Sequence, residues 1–352
     1  MITRARLGYF FIAILLCVTA GWTQQQSSAA QSPGSKIYLD VVVAPKSGAP
    51  VAGLQQQDFT VLDNKVPRTI TSFKAVEERN APIEIVLVID TVNIGAQTID
   101  YERIQIDKFL RSDAGNLAYP VTLAILTDTG VQMVGNGFSS DGNALSAMLE
   151  KETVGFRDIG RSSGYWGATE RWQASLDGLG HIVSSEARRP GRKLIICISP
   201  GWPLLNVPGA QTDAREQQNL FSSIVGISTD LRVAGVTLDS VDPQGAGAST
   251  YYASAYEQFL KGISKPNQAQ PGDLALQVLA VQSGGVALGP DNDIAGLLQK
   301  CVASAAPYYE ITFDAPEADG PNEYHHLEVK VDKPGVTART REEYYAQPAA
   351  AK

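Results

Sequence analysis

An aspartate at the end of an apolar run is the first residue of this chain that is placed to do chemistry. Residues 83–89 read as a buried strand, and Asp90 follows them at the start of a polar loop. Ligands gather where the strands of an open α/β sheet end in loops, so a carboxylate at this point is well placed to bind one. Three roles are open to Asp90: metal ligand, acid or base, and cap of the following helix.

Catalysis needs a nucleophile, a base or a metal in a recognisable arrangement, and we identify none in the sequence. The three histidines are His181 and the adjacent pair His325 and His326. Neighbouring residues of a strand point to opposite faces, so the pair cannot chelate one ion. Neither a His-Glu-x-x-His motif nor a Gly-x-x-x-x-Gly-Lys loop occurs. We therefore predict a protein that is not an enzyme and has no catalytic residues.

Two loops at the Asp90 edge of the predicted sheet are rich in large apolar side chains. The stretch GRSSGYWGAT contains Tyr165 and Trp166, and the stretch SPGWPLLNVPG contains Trp202 and Leu204. Aromatic and aliphatic residues grouped on loops mark recognition surfaces, so we predict that these four residues bind a protein partner. The alternative is that Trp202 and Leu204 fold down over the sheet edge, since tryptophan is usually mostly buried.

Strands alternate with helical patterns from Ile83 onward, which is typical of a parallel sheet covered by helices on both faces. Strands are predicted near residues 83–90, 119–127, 131–136, 193–199, 233–240 and 284–288, and helices near 99–112, 141–151, 169–185, 212–229, 270–283 and 291–305. Too few residues separate the second and third strands for a helical crossover, so the third is an antiparallel edge strand. The predicted fold class is α/β, with a mostly parallel six-stranded sheet.

Both ends of the chain differ from this middle, because they show short β-rich runs separated by turn residues. Residues 36–80 and 307–346 contain alternating stretches such as Phe59 to Leu62. We predict that the two segments form one small β-sandwich, into which an α/β domain of residues 81–306 is inserted.

The first residues have the order of a secretory signal peptide. Arg4 and Arg6 precede the apolar run LGYFFIAILLCVTAG, which ends in small residues suited to cleavage. This run is shorter than the roughly 20 residues that a membrane-spanning helix needs. We predict a signal peptide over residues 1–22, a polar linker over 23–35, and an exported protein that is periplasmic, secreted or at the cell surface. An uncleaved signal anchor is the alternative.

The charge balance is acidic, with 29 Lys and Arg against 37 Asp and Glu and a net charge of −8. An acidic exported chain is a poor candidate for binding nucleic acid or an anionic membrane, so we predict neither, apart from the signal peptide's own membrane contact. Beyond the signal peptide only Cys197 and Cys301 remain. Two cysteines cannot form a disulfide framework for a domain of this size, and buried thiols are favoured over a bridge.

Several stretches resemble the von Willebrand factor type A domain family, and within it the VWFA-related acidobacterial domain proteins. They are LDVVVAPKSGAPVAGLQQQDFTVLDNKVPRTITSF, IEIVLVIDTVN, VTLAILTDTGVQMVGNGFSSDGNAL, LAVQSGGVALGPDNDIAGLLQKCVASAAPYYEITF and YHHLEVKVDKPGVTARTREEYY. The resemblance covers nearly everything from about residue 36 onward. It implies a type A, Rossmann-like sheet, an exported location and a role in adhesion or protein binding.

Type A domains commonly hold a divalent cation at a metal-ion-dependent adhesion site, with an Asp-x-Ser-x-Ser motif, a later threonine and a final aspartate. Asp90 matches the first aspartate, and Thr169 can stand for the threonine. Val92 and Ile94 occupy the serine positions, and Ser199-Pro200 replaces the final aspartate. A hard cation wants several oxygen ligands, so the resemblance predicts a degenerate site without Mg²⁺ or Mn²⁺, at which Asp90 braces its loop.

These observations favour an exported, non-enzymatic, adhesion-like protein that binds a protein partner without a cofactor. The alternative is a structural or assembly component of the cell envelope. The third hypothesis is a metal-dependent adhesin, in which Asp90 and Thr169 hold Mg²⁺ or Mn²⁺.

Overall fold

A computed structural model describes residues 36–77, 81–152, 165–203, 213–246 and 254–348, without the side chains of residues 96, 97, 165 and 166. The predicted signal peptide and linker lie outside these residues. Among the described helices, none is long and apolar enough to cross a lipid bilayer.

Six strands form a central sheet that is parallel except at one edge. In chain order they are β5 (Ile83–Asp90), β6 (Asn116–Thr127), β7 (Gly130–Asp141), β8 (Arg192–Ile198), β9 (Val236–Val241) and β10 (Ala287–Leu288). Their spatial order is β10-β9-β8-β5-β6-β7, and only the β6–β7 pairing is antiparallel. The α/β class and the mostly parallel sheet predicted from the sequence are confirmed, and the short β6–β7 connection forces the antiparallel edge.

Helices cover both faces of this sheet. They are α1 (Ala96–Leu110), α2 (Gly142–Lys151), α3 (Tyr165–Glu186), α4 (Ala214–Val233), α5 (Leu276–Gln282) and α6 (Ile294–Ala303). Val86 and Val88 of β5 pack in one core with residues of α3, α4 and α5, whereas Leu87 and Ile89 pack in a second core with residues of α1, α2 and α6. Successive side chains of β5 point to opposite faces of the sheet. Because those on both faces are apolar, helices must cover the strand on both sides.

The remaining strands form two antiparallel sheets built from both ends of the chain. They are β1 (Lys36–Pro45), β2 (Phe59–Asp63), β3 (Val66–Arg68), β4 (Ile70–Val76), β11 (Tyr308–Asp314), β12 (Glu323–Val331), β13 (Val336–Arg339) and β14 (Glu343–Ala346). One sheet has the order β13-β1-β11-β4 and the other has the order β14-β12-β2-β3. Inward residues of both sheets, such as Leu39, Phe59, Ile311 and Leu327, share a third core.

The central α/β segment starts and ends at neighbouring strands of one sheet. β4 leads into it and β11 follows it, and these two strands pair with Val76 opposite Tyr308. Val76 and Tyr308 also belong to the core on the α1 side of the central sheet. The antiparallel sheets therefore hold both ends of the α/β segment at one place.

A buried polar cluster links the antiparallel strands of the two chain ends. The Asp63 carboxylate on β2 is fully buried, and its Oδ1 lies 2.6 Å from His325 Nδ1 on β12. Tyr344 on β14 donates its hydroxyl to Asp63 Oδ2 at 2.9 Å, and Arg68 Nε lies 3.3 Å from the same oxygen. Burial raises the pKa of Asp63, but the bonds from His325 and Tyr344 and the charge of Arg68 outweigh it, so the pKa is lowered. His326, next in the chain, points to solvent, as the strand pattern predicts.

We expect Asp63→Asn to destabilise the protein by about 3 kcal/mol, because it leaves buried donors of His325 and Tyr344 without a charged acceptor. Since the Asp63 pKa is lowered by folding, its contribution is present above the unfolded pKa of about 3.9 and is lost as the pH falls below that value. Urea unfolding at pH 7 and pH 3 measures both effects. The control is Asp332→Asn on the exposed surface, which should change the free energy of unfolding little. Equal stability of the two variants at pH 7 would contradict the role of this cluster.

Candidate functional site

Asp90 lies at the C-terminal end of β5, between the ends of β6 and β8. Its side chain is fully buried. The backbone then turns away from the sheet, and Thr91 anchors this turn by donating its hydroxyl to the Leu126 carbonyl of β6 at 2.8 Å. The site is therefore formed by a loop that is tied to the neighbouring strand on one side.

Both oxygens of the Asp90 carboxylate accept hydrogen bonds from the chain itself. Oδ1 accepts from the backbone N–H groups of Val92 at 2.9 Å and Asn93 at 3.1 Å. Oδ2 accepts from the Asn93 side-chain amide at 2.7 Å and from the Ser199 hydroxyl at 2.7 Å. The same Asn93 amide also donates to Ser175 Oγ of α3 at 2.9 Å. Asp90 therefore braces the β5–α1 loop and joins it to β8 and α3.

Burial raises the pKa of Asp90 above its usual value, and the hydrogen bonds from Asn93, Ser199 and Val92 offset part of that effect. This balance is expected for a carboxyl group that has lost water but gained several donors. The sequence analysis singled out Asp90 but not Ser175. Ser175 lies one helical turn after Arg171 and also donates its hydroxyl to the Arg171 carbonyl, and this position in the helix is the only feature of the sequence that distinguishes it.

A second buried carboxyl group lies near Asp90, and the sequence analysis did not find it. Glu102 is on the buried face of α1, with Ile99 and Ile106 one turn away on either side, and it is fully buried. Neither of its oxygens has a hydrogen-bond partner among the described residues. Burial, with a smaller contribution from the charge of Asp90, raises the pKa of Glu102 well above its usual value. The helical spacing of 99, 102 and 106 is the signal that could have found it.

Trp202 is not the exposed anchor that the sequence analysis predicted. Its side chain is only 4% exposed and belongs to the core on the α3, α4 and α5 side of the sheet. Gly201 adopts a φ of +95°, which lets the chain turn so that the indole ring points inward. Together with Val88, Leu179 and Cys197, the ring borders a void of about 10 Å³. The prediction of a partner-binding Trp202 is wrong, and the alternative, folding over the sheet edge, is correct for this residue.

The other predicted site residues are placed as follows. The side chains of Tyr165 and Trp166, at the start of α3, and the whole of Leu204 lie outside the described residues. Thr169 is half-buried on α3. Ser175 of the same helix joins the Asp90 cluster through the Asn93 side-chain amide. The structure therefore brings together Asp90, Asn93, Ser199 and Ser175.

The donor set around Asp90 fits a hard cation poorly. Val92 and Ile94 offer no side-chain oxygen, and every Asp90 oxygen already accepts from the protein. Within the described ranges, no group of three or more His, Cys, Asp or Glu residues is arranged to hold a metal ion. A cation here would have to replace the donors that now hold Asp90 in place, and then find further oxygens.

No catalytic arrangement is assembled in the part of the chain that the structure describes. The letters Gly-x-Ser-x-Gly occur at residues 160–164, a match that the sequence analysis overlooked, and they lie outside the described residues. In serine hydrolases this motif works with a histidine base. His325 is buried against Asp63, and His181 and His326 are exposed elsewhere in the fold. Absence of catalysis stays a prediction.

Both cysteines are free and buried, as favoured from the sequence. Burial raises the pKa of the Cys197 and Cys301 thiols well above the usual value, so neither is a reactive thiolate at neutral pH.

Comparison with family models gives no match, and comparison with curated protein sequences gives none either. Among solved structures, the chain is similar to proximal thread matrix protein 1 from the mussel byssus, at 13% identity and a TM-score of 0.32, over 69% of this chain and 49% of that one. It is also similar to the PilB minor pilin from Streptococcus sanguinis, at 11% identity and a TM-score of 0.36, over 66% of this chain and 62% of that one. The chain thus spans 49% of the first protein and 62% of the second. Similarity at this level carries no argument about function.

We expect Glu102→Met to stabilise the protein at pH 8 by about 2 kcal/mol, because it replaces a buried carboxyl group without partners by an apolar side chain of similar length. Folding raises the Glu102 pKa, so the wild type loses stability as the pH rises above the unfolded value of about 4.3. The gain of the variant should therefore grow between pH 4 and pH 8 in urea unfolding. The matched control is Asp100→Asn on the exposed face of the same helix, which should keep the wild-type pH dependence. A Glu102→Met variant less stable than the wild type at pH 8 would show that Glu102 has a partner.

We expect Trp202→Ala to destabilise the protein by about 3–5 kcal/mol, the usual range for truncating a buried tryptophan. Thermal and urea unfolding measure this loss. Ile104, which is 63% exposed on α1, supplies the control Ile104→Ala, for which we expect a change below about 0.5 kcal/mol. If Trp202→Ala were as stable as this control, the indole would have to lie outside the core.

Proposed function

We propose that the chain is an exported, non-enzymatic protein that binds a protein partner through a type A domain without a cation. Export rests on the order of charged, apolar and small residues in the first 22 positions. The type A assignment rests on the resemblance of residues 36 onward, together with a sheet whose order and single antiparallel edge fit that family. The proposed domain limits are residues 36–80 and 307–346 for the sandwich and 81–306 for the α/β domain.

The observation that carries the cation-free proposal is the complete use of Asp90 within the protein. A type A domain that binds through a metal needs its first aspartate to direct an oxygen at the ion. Here the two oxygens accept four hydrogen bonds, and two of the donors, the Val92 and Asn93 backbone N–H groups, belong to the same loop. An aspartate held in this way fixes the shape of the β5–α1 loop. Under this proposal the partner is therefore bound by residues on the surface at this edge of the sheet and not through a metal ion.

Recognition then falls to the apolar residues that the sequence places near this edge of the sheet, two of them at the start of α3. Tyr165, Trp166 and Leu204 remain the proposed partner-binding residues, whereas Trp202 is excluded by its burial. Aromatic side chains near the centre of an interface contribute on the order of 2 kcal/mol or more when they are truncated. A structural or assembly role in the cell envelope is the competing hypothesis, and under it these residues make no contact with a soluble partner.

One observation favours the metal-dependent adhesin as a second candidate. The two Glu102 oxygens and Asn93 Oδ1 are buried and have no partner among the described residues, and Asn93 is hydrogen-bonded to Asp90. A cation that recruited these oxygens would be held by an unusual donor set in place of the serines. This hypothesis predicts that Mg²⁺ or Mn²⁺ stabilises the wild type and that Glu102→Met abolishes that effect.

We expect partner binding to be insensitive to EDTA and to be weakened about 30-fold or more by the double substitution Tyr165→Ala, Trp166→Ala. The partner is captured from envelope extract and identified by mass spectrometry. Its dissociation constant is then measured with purified components in about 1 mM EDTA and in about 5 mM MgCl₂.

The matched control is Tyr101→Ala, Ile104→Ala, which removes an aromatic and an aliphatic side chain exposed on α1. It should leave the dissociation constant unchanged. Binding that is lost in EDTA and restored by Mg²⁺ would refute the cation-free proposal and support the adhesin. Unchanged binding of the Tyr165 and Trp166 variant would refute the proposed surface.

A further inference from the structure

A cavity of about 160 Å³ lies at the edge of the central sheet opposite Asp90. It opens where β8 and β9 begin, at Arg192 and Val236, and its other wall is the outer face of β1 and β11. The volume corresponds to about five water molecules at liquid density, enough for a small polyatomic ion with part of its hydration shell. Neither the proposed partner surface nor the Asp90 site uses this cavity.

Three arginines line the cavity, although the chain as a whole is acidic. They are Arg192 on β8, Arg232 in the last turn of α4 and Arg341 between β13 and β14. Arg341 is only 8% exposed, and its guanidinium donates to two neutral acceptors, the Val236 carbonyl at 3.2 Å and the Ser228 carbonyl at 3.5 Å. Burial, followed by the positive charge of Arg232, lowers the pKa of Arg341 to about 9, so the group is still a cation at neutral pH.

The two carboxylates of the cavity wall are engaged by other cations. Asp40 Oδ2 lies 3.5 Å from Arg192 Nε, and the Arg192 guanidinium also stacks over the Tyr308 ring at 4.7 Å. Glu310 lies 3.3 Å from Lys74, outside the cavity lining, on the neighbouring strand β4. The negative charges of Glu343 and Asp40 act on Arg341 and partly oppose the lowering of its pKa. Among the described residues, no carboxylate lies at hydrogen-bond distance from its guanidinium, whose acceptors are backbone carbonyls. A buried cation in that state favours an anion beside it.

A neutral donor completes the cavity wall. Thr340 is 8% exposed and lines the cavity, and its hydroxyl has no hydrogen-bond partner in the described part of the chain. Buried hydroxyl groups are normally paired, so this one calls for an acceptor that the protein does not supply. A tetrahedral oxyanion offers such an acceptor, and it matches the fork of a guanidinium on its remaining oxygens.

We propose that this cavity is a binding site for a small oxyanion of the sulfate or phosphate type, held by Arg341 and the Thr340 hydroxyl and surrounded by Arg192 and Arg232. The anion neutralises Arg341 and gives the Thr340 hydroxyl its acceptor. Tyr38 lines the cavity and is 69% exposed, so its ring offers apolar surface to an organic group that carries the oxyanion.

The test is isothermal titration calorimetry of the full chain with sodium sulfate, inorganic phosphate and phenyl phosphate, each compared with sodium chloride at matched ionic strength. Thermal unfolding with the same salts is the second readout. We expect saturable binding of sulfate and phosphate, and a melting temperature that rises to a plateau. Tighter binding of phenyl phosphate than of inorganic phosphate would assign the site to a phosphate ester, and equal or weaker binding would assign it to the free ion.

Two variants separate a specific site from general salt effects. Arg341→Gln should weaken sulfate binding at least tenfold, and Thr340→Val should weaken it about threefold without loss of stability in chloride, since the hydroxyl has no partner there. The matched control is Arg215→Gln, which makes the same charge change on an exposed residue in the first turn of α4, at the other end of the helix that carries Arg232. It should bind sulfate as the wild type does.

Sulfate also stabilises proteins by exclusion from their surface, but that effect does not saturate and is shared by all variants. A wild type without saturable binding would overturn the proposal. So would a response to sulfate that is the same in the wild type, in Thr340→Val and in Arg341→Gln. Thr340→Val serves as the decisive variant if Arg341→Gln fails to fold.

Discussion

The pairing of β11 between β1 and β4 is the constraint on which the rest of the molecule depends. These strands bring residues 36–45 and 70–76 against 308–314, so the contacts join positions more than 230 residues apart. Closing a loop of that length costs about 5 kcal/mol of chain entropy, which neither end of the chain offsets on its own. Ladder hydrogen bonds, the shared core and the Asp63 cluster supply the compensation, and they also hold the two ends of the α/β segment together.

The central sheet has two polar edges with opposite characters. At the C-terminal edge both oxygens of Asp90 accept hydrogen bonds, from the Val92 and Asn93 backbone, the Asn93 side-chain amide and the Ser199 hydroxyl. At the N-terminal edge the buried Thr340 hydroxyl has no hydrogen-bond partner among the described residues, and it lines a cavity beside Arg341. Ligands of α/β sheets usually gather at the C-terminal edge. Here the antiparallel sheets cover the opposite edge and create the second pocket, which a lone α/β domain would not have.

Several buried acids lower the stability of the fold as the pH rises. Burial raises the pKa of Glu102 well above its usual value and that of Glu343 to about 7. Each such group lowers stability as the pH rises above its unfolded pKa, whereas Asp63 acts in the opposite sense below about pH 4. Glu102 is fully buried, and neither of its oxygens has a hydrogen-bond partner among the described residues, so its burial carries a desolvation cost that no bond offsets there.

The sequence by itself determined the elements and their order, because the signals are local. Apolar residues on both faces of β5 require burial on both sides, the short β6–β7 connection allows only an antiparallel partner, and adjacent His325 and His326 must face opposite sides of a strand. The resemblance to type A domains also implied the bracing role of Asp90, because Val92 and Ile94 stand at positions where that family has serine ligands. The tertiary structure alone decided the features that need residues distant in the sequence. Trp202 is buried because it packs in one core with residues of α3, α4 and α5. Ser175 accepts a hydrogen bond from Asn93, which lies 82 positions earlier in the chain. The cavity beside Arg341 exists because strands from both chain ends lie against β8 and β9, and no local pattern encodes that meeting.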